Sequence, residues 1–284
     1  MIGTDKTAPA HHTPAKSGTP AGVPERIVCL TEETAETLYL LGEQDRIAGI
    51  SGFTVRPPRA RREKPKVAAF TSAKIDKILA LEPDLVLGFS DLQADIAAQL
   101  IRANVAVHIF NHRSVGGIFN MIRTVGALVY APAKTDALIG TLQEGLRSIE
   151  RSAATLPHRP RVYFEEWNDP LISGIRWVSE LIVIAGGTDC FHELSVESAA
   201  KRRIIADPDE VIRRAPDIII GSWCGKRFRP EQLSGRPGWA TIPAVRAGDV
   251  YEIKSCDILQ PGPAALTDGV RQLHAIIKRW ADAQ

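Results

Sequence analysis

The chain reads as an α/β protein of two lobes joined by a long helical segment, and three observations predict it. One segment occurs twice: Asp76–Gly88 reads D-K-I-L-A-L-E-P-D-L-V-L-G, and Asp209–Gly221 reads D-E-V-I-R-R-A-P-D-I-I-I-G. The copies stand a domain's length apart, far beyond a solenoid period of about 20–50 residues. Around each copy, short apolar strands alternate with helical patterns, the signature of a parallel sheet with helices on both faces. Between them, residues 114–153 keep helical spacing with no strand to interrupt it. A cleft between two such lobes is a standard place for a ligand.

Arg26–Leu30 is the first apolar strand, with Thr31 as candidate N-cap and Glu33 and Glu36 near the positive end of the helix that follows. Arg46–Ile50 is the next strand, ending at Ser51-Gly52. The basic run Arg59, Arg61, Arg62, Lys64 and Lys66 reads as a solvated face, with an anion-steering rim as the alternative. The first repeat copy supplies a short helix from Ser72, a turn at Glu82-Pro83-Asp84 and a strand at 85–88; a helix near 91–103 and a strand over 105–110 follow. In 114–153, Val115, Ile118, Phe119, Ile122 and Val125 share one helical face, as do Leu138, Leu142, Leu146 and Ile149, and Pro132 divides the stretch. The second of these helices, about 20 residues, spans on the order of 30 Å and limits lobe motion. Arg161–Phe164 opens the second lobe, and a helix over 177–185 stops at Gly186-Gly187. The second repeat copy, a strand at 250–253 and a helix over 266–281 complete it. The organisation expected is a tail (1–24), a first lobe (25–113), linking helices (114–157) and a second lobe (158–284).

Of the 284 residues, 44% are hydrophobic and 24% charged, enough for two cores. A net charge of +2 lacks the concentrated positive field of a nucleic-acid binder. No run nears the about 18 apolar residues of a membrane span. Residues 1–24, rich in Thr, Ala and Pro, are expected to be disordered. They hold no apolar stretch of about 7–15 residues, so as written they are no secretory signal, and the compartment stays open between cytoplasm and periplasm. Cys29, Cys190, Cys224 and Cys256 show no zinc-like spacing and read as reduced thiols in or near core elements.

Ligands in such sheets gather beyond the carboxyl ends of the strands. Phe53, Phe70, Phe89, Trp167 and Trp223 stand at those positions in a chain only 6% aromatic, and facing aromatic walls suit a large, flat ligand. No catalytic set emerges. Glu165, Glu166 and Asp169 are clustered carboxylates without an assignable partner, and no nucleophile elbow, phosphate loop or dinucleotide fingerprint is present. His112, His192 and a carboxylate are the best metal set on offer, and lack ligand spacing.

R-I-V-C-L-T-E-E-T-A-E-T-L-Y-L-L-G, I-S-G-F-T-V-R-P-P, K-I-D-K-I-L-A-L-E-P-D-L-V-L-G-F, R-V-Y-F-E-E-W-N-D-P-L-I-S-G and W-V-S-E-L-I-V-I-A-G-G together resemble the ABC-importer substrate-binding proteins for cobalamin and ferric siderophores. The likeness covers about residues 26–282 and is closest to the cobalamin branch. It implies two Rossmann-like lobes joined by one long helix, the class III substrate-binding-protein architecture, in a monomeric, non-enzymatic protein. It places Phe53, Phe70 and Phe89 in the first-lobe wall of a corrinoid site and Trp167 near the aromatic of the second. Asp76 and Asp209 fall where the family has glutamates that dock on an ABC permease. Arg203 stands where the cobalamin branch has an aromatic, and Cys256-Asp257 and Gln260 where it has an acid and an arginine. The resemblance therefore implies a corrinoid ligand, bound without a protein–cobalt bond and with no other cofactor. An anionic ferric siderophore or haem read by Arg203 and Lys226 is one alternative. A cytoplasmic corrinoid-handling or sensing protein without a permease is the other.

Overall fold

A computed structural model describes residues 20–284, so the first nineteen residues of the expected tail lie outside the described residues. Its last part is anchored: Arg46 Nη1 donates to the Pro24 carbonyl at 2.8 Å.

The first half comprises β1 (Ile27–Cys29), α1 (Glu32–Leu40), β2 (Ile47–Ser51), α2 (Ala60–Glu63), β3 (Lys66–Ala68), α3 (Ile75–Leu79), β4 (Leu85–Phe89), α4 (Ala94–Arg102) and β5 (Val107–Phe110). α5 (Val115–Leu128) and α6 (Pro132–Ala153) link it to the second half. That half contains β6 (Arg161–Asn168), β7 (Leu171–Ser173), α7 (Arg176–Ile184), β8 (Thr188–Asp189), α8 (His192–Ser195), α9 (Asp209–Arg214) and β9 (Ile218–Gly221). It closes with α10 (Glu231–Ser234), α11 (Pro243–Ala247), β10 (Val250–Glu252), α12 (Ser255–Ile258) and α13 (Val270–Asp282).

The first sheet is ordered β3-β2-β1-β4-β5 and is parallel throughout. The second is ordered β10-β9-β6-β7, with β8 beside β6 and β7 antiparallel. Central strands of such sheets are covered on both faces and need unbroken apolar runs. Ile27-Val28-Cys29 and Ile218-Ile219-Ile220 meet that demand and are fully buried. Three short strands escaped the sequence pattern. β3 lies inside the basic run, where only Val67 is buried, and β7 and β8 are three and two residues long.

Pro132 opens α6, where its missing N–H costs no helical bond. α5 packs on α1, and α6 on α7 and α13. One apolar core therefore runs from Ile27 through Ile122 and Leu142 to Ile218 and Ile277. Continuous packing, rather than a hinge of bare strands, joins the two sheets. Among the described residues no helix is long and apolar enough to cross a membrane. All four cysteines are free; burial pushes the Cys29 thiol up to about 12, while Cys224 is exposed rather than part of a core.

Candidate ligand-binding cleft

The two repeat copies end in glycine for a packing reason. A Cβ at Gly88 would stand 2.4 Å from Gln93 Oε1, and one at Gly221 would stand 2.0 Å from the Phe228 ring. In each copy a side chain folds over the strand end, and only glycine leaves it room. Gln93, fully buried, accepts from the Phe89 N–H at 3.0 Å and donates to the Phe70 carbonyl at 2.8 Å. It fixes the relation of two predicted wall residues.

Of the first-lobe aromatics, Phe53 is 60% exposed, Phe70 half-buried and Phe89 buried. Phe89 is not bare: Arg113 lies over its ring at 4.7 Å and His112 meets it edge-on at 5.3 Å. Burial depresses the Arg113 pKa, the nearby Asp91 carboxylate works against that, and the charge of Arg203 in the second half adds a smaller push downward.

In the second lobe Glu165 and Glu166 neighbour each other on β6 and are handled separately. Glu165 is fully buried and pairs with Arg236 at 2.6 and 2.9 Å. It also accepts from Tyr163 Oη and Trp223 Nε1, each at 3.1 Å. Glu166 pairs with Arg203 at 2.6 and 2.9 Å. Each carboxylate has its guanidinium, which leaves neither poised as a free acid or base.

The sequence placed Arg203 as a ligand contact; the structure buries it at 1% exposure. Its charge is met by Glu166, Nη1 also donates to the Ser173 carbonyl, and Nε has no partner. Trp223 likewise sits in the second core at 3% exposure, packed edge-on against Phe228 at 5.0 Å. Trp167 is half-buried and donates through Nε1 to the Asp169 carbonyl at 2.9 Å. Lys226 Nζ lies over both tryptophan rings, 5.6 Å from Trp167 and 5.1 Å from Trp223. Each lobe thus places a cation over an aromatic face.

Asp257 is engaged as well. Its oxygens accept from Arg56 Nη1 at 3.0 Å and Gln272 Nε2 at 3.1 Å. Arg56 also holds Glu36 at 3.0 Å and Asp268 at 2.6 Å, joining the first half to the second. Although burial works against its charge, the bonds to Glu36 and Asp268 keep Arg56 firmly protonated. Gln260 is half-buried at the start of the segment whose Pro261 carbonyl pairs with His112 Nε2 at 2.8 Å. Asp76 and Asp209 are exposed, and neither carboxylate has a partner among the described residues. No group of three or more His, Cys, Asp or Glu able to hold a metal occurs among the described residues.

Sequence reasoning missed Arg56, Arg113 and the use made of α1. Glu32, Glu33 and Glu36 are all buried rather than solvated at a helix start. Their signal was present: three acids within five residues directly after a buried strand. Glu32 accepts from the Val55 N–H, Glu33 from Thr31 Oγ1, and Glu36 from the Ala264 N–H at 3.0 Å. Burial, ahead of any neighbour, pushes Glu32 and Glu33 from 4.5 up to about 7. Between those values the folded chain binds more protons than the unfolded chain, so stability falls as pH rises through that window. His112, drawn down by burial from 6.5 to about 4, contributes the opposite slope as pH falls. Comparison with a variant separates them: Glu33→Gln should flatten the profile and stabilise at pH 8 by up to about 3 kcal/mol. Urea unfolding from pH 5 to pH 8 checks this, and an unchanged slope would refute it.

Two α/β lobes packed through helices, with aromatic residues at the strand ends, define a two-lobed ligand-binding protein. Residues 27–256 match the family model described as periplasmic binding protein, and the chain belongs to that family. It is 25% identical over 261 residues to a vitamin B12-binding protein of Vibrio parahaemolyticus, covering 89% of this chain and 87% of that one. It is 24% identical over 264 residues to the uncharacterized ABC transporter substrate-binding lipoprotein YvrC of Bacillus subtilis, covering 88% and 79%. A possible iron-binding periplasmic solute-binding protein from Staphylococcus epidermidis shares the fold with a TM-score of 0.78 at 19% identity, over 90% of this chain and 99% of its own.

Proposed function

We propose that the chain is a substrate-binding protein that captures a corrinoid of the cobalamin type in the interlobe cleft and presents it to an ABC importer. The observation that carries this reading is Phe53, whose ring stays 60% exposed just past β2. Leaving such a ring in water forgoes about 2 kcal/mol of burial, which a flat ligand can recover. Half-buried Phe70 and Trp167 offer further aromatic surface on the two lobes. Similarity to a protein named for vitamin B12 over 89% of the chain supports the same ligand class. The exposed Asp76 and Asp209, repeated at the same place in both copies, are the carboxylates available to a permease.

Titration with cyanocobalamin and with cobinamide, followed by quenching of the five tryptophans with inner-filter correction, tests the proposal. Saturable quenching is expected, and Phe53→Ala should weaken binding about tenfold, the equivalent of about 1.4 kcal/mol. Absence of saturation with either corrinoid would sink it. A second reading, an anionic ferric siderophore or haem, is favoured by the cations over Phe89 and over Trp167 and Trp223. Parallel titrations with a ferric catecholate and haemin decide between the readings.

A further inference from the structure

A cavity of about 540 Å³ opens at the seam between the two halves, and of the ligand-binding residues expected from sequence only Asp257 lines it. None of Phe53, Phe70, Phe89, Trp167 or Trp223 lines it. One wall is the far end of α1 with the loop before α2; the other is Lys254, Cys256 and Asp257, just past β10. Its volume falls in the range of about 300–1,000 Å³ typical of small-molecule sites.

The polar side chains of this cavity sort into engaged and unengaged groups. Glu36 gives one oxygen to Arg56 Nε and the other to the Ala264 N–H, both at 3.0 Å. Asp257 divides its oxygens between Arg56 and Gln272. Arg56 completes its shell with Asp268, and Tyr39 Oη donates to Glu63 at 2.7 Å. Cys256 Sγ lies 3.6 Å from Asp257 Oδ1, and Pro57 and Pro58 have no N–H. Two side chains remain. Arg59 has only the Tyr39 face, 4.9 Å from its guanidinium, and Lys254 has no acidic partner among the described residues. Every unengaged polar side chain lining the cavity is therefore a cationic donor. The same lining carries apolar surface, notably Leu40, which is 51% exposed.

We infer that this lateral cavity is a second binding site, for an anionic group carried on an apolar body, such as an aryl or alkyl phosphate or carboxylate. The anion bridges Arg59 of the first half and Lys254 of the second, while the apolar part covers Leu40, Val55 and Pro57. A bound anion of this kind ties the two halves together beside the Arg56 network. The same chemistry can come from a free small molecule or from an anionic arm of the ligand in the main cleft.

Calorimetric titration of the full chain with phenyl phosphate tests the assignment, with benzylamine as its cationic counterpart. Saturable binding of phenyl phosphate, no binding of benzylamine, and about tenfold weakening in both Lys254→Glu and Arg59→Glu are expected. Both residues are exposed, so the variants should fold, and their circular dichroism and unfolding curves verify it. Repeating the titration with cyanocobalamin present separates the sources: retained binding identifies an independent small molecule, and displacement identifies an arm of the cleft ligand. No saturable binding, or affinity unchanged in both charge-reversal variants, overturns the inference. The readout does not depend on corrinoid binding, so failure of the main proposal leaves it standing.

Discussion

Glu165→Ala should lower the free energy of unfolding by about 3–5 kcal/mol, the range for breaking a buried ion pair from one side. Glu165 is fully buried and Arg236 is 17% exposed at its side chain. Removing the carboxylate leaves a guanidinium, the Tyr163 hydroxyl and the Trp223 indole N–H without their common acceptor. Unpaired buried donors and an uncompensated charge both raise the free energy of the fold. Replacing Glu165 and Arg236 together by leucine should cost less than Glu165→Ala, because no orphaned charge remains. Urea unfolding followed by tryptophan fluorescence measures both variants. A loss below about 1 kcal/mol for Glu165→Ala would show that the network adds little.

Arg56→Ala should cost about 3 kcal/mol, the lower end of the same range because the side chain is a quarter exposed. Its loss leaves Glu36, Asp257 and Asp268 without their shared cation at the junction of the halves. With that cation gone, the carboxyls bind protons more readily in the folded state. The loss should then be larger at pH 8 than at pH 5. Thermal unfolding at the two pH values checks the sign, and an equal loss at both would refute it.

How much was legible in sequence differs by kind of residue. The strands β1, β4 and β9, the division at Pro132 and the glycine stops follow from short-range pattern, and the sequence displays them. The positions of Phe53, Phe70 and Phe89 follow too, since a strand end and its next loop are neighbours along the chain. Exposure was not legible. Both Phe53 and Phe89 are expected just past a strand, but Phe53 stands two residues beyond β2 and is open, while Phe89 is the last residue of β4 and is covered by Arg113. The family resemblance alone places Arg203 and Asp257 among the cleft residues, and no local pattern shows that either is engaged inside the protein. Their partners are Glu166, 37 positions away, and Arg56, 201 positions away. The small strand β7 contributes by holding the Arg203 segment through the Ser173 N–H, which donates to the Arg203 carbonyl at 3.1 Å.

The sequence by itself determined two α/β units, their helical connection and the aromatic residues at or near the strand ends. Local periodicity and glycine placement suffice for these, because they depend on neighbours within a few residues. Only the tertiary structure decided which charges are open to a ligand and which are closed within the protein. A charge is neutralised by whatever packing brings within hydrogen-bonding distance, and in this protein those partners come from remote parts of the chain.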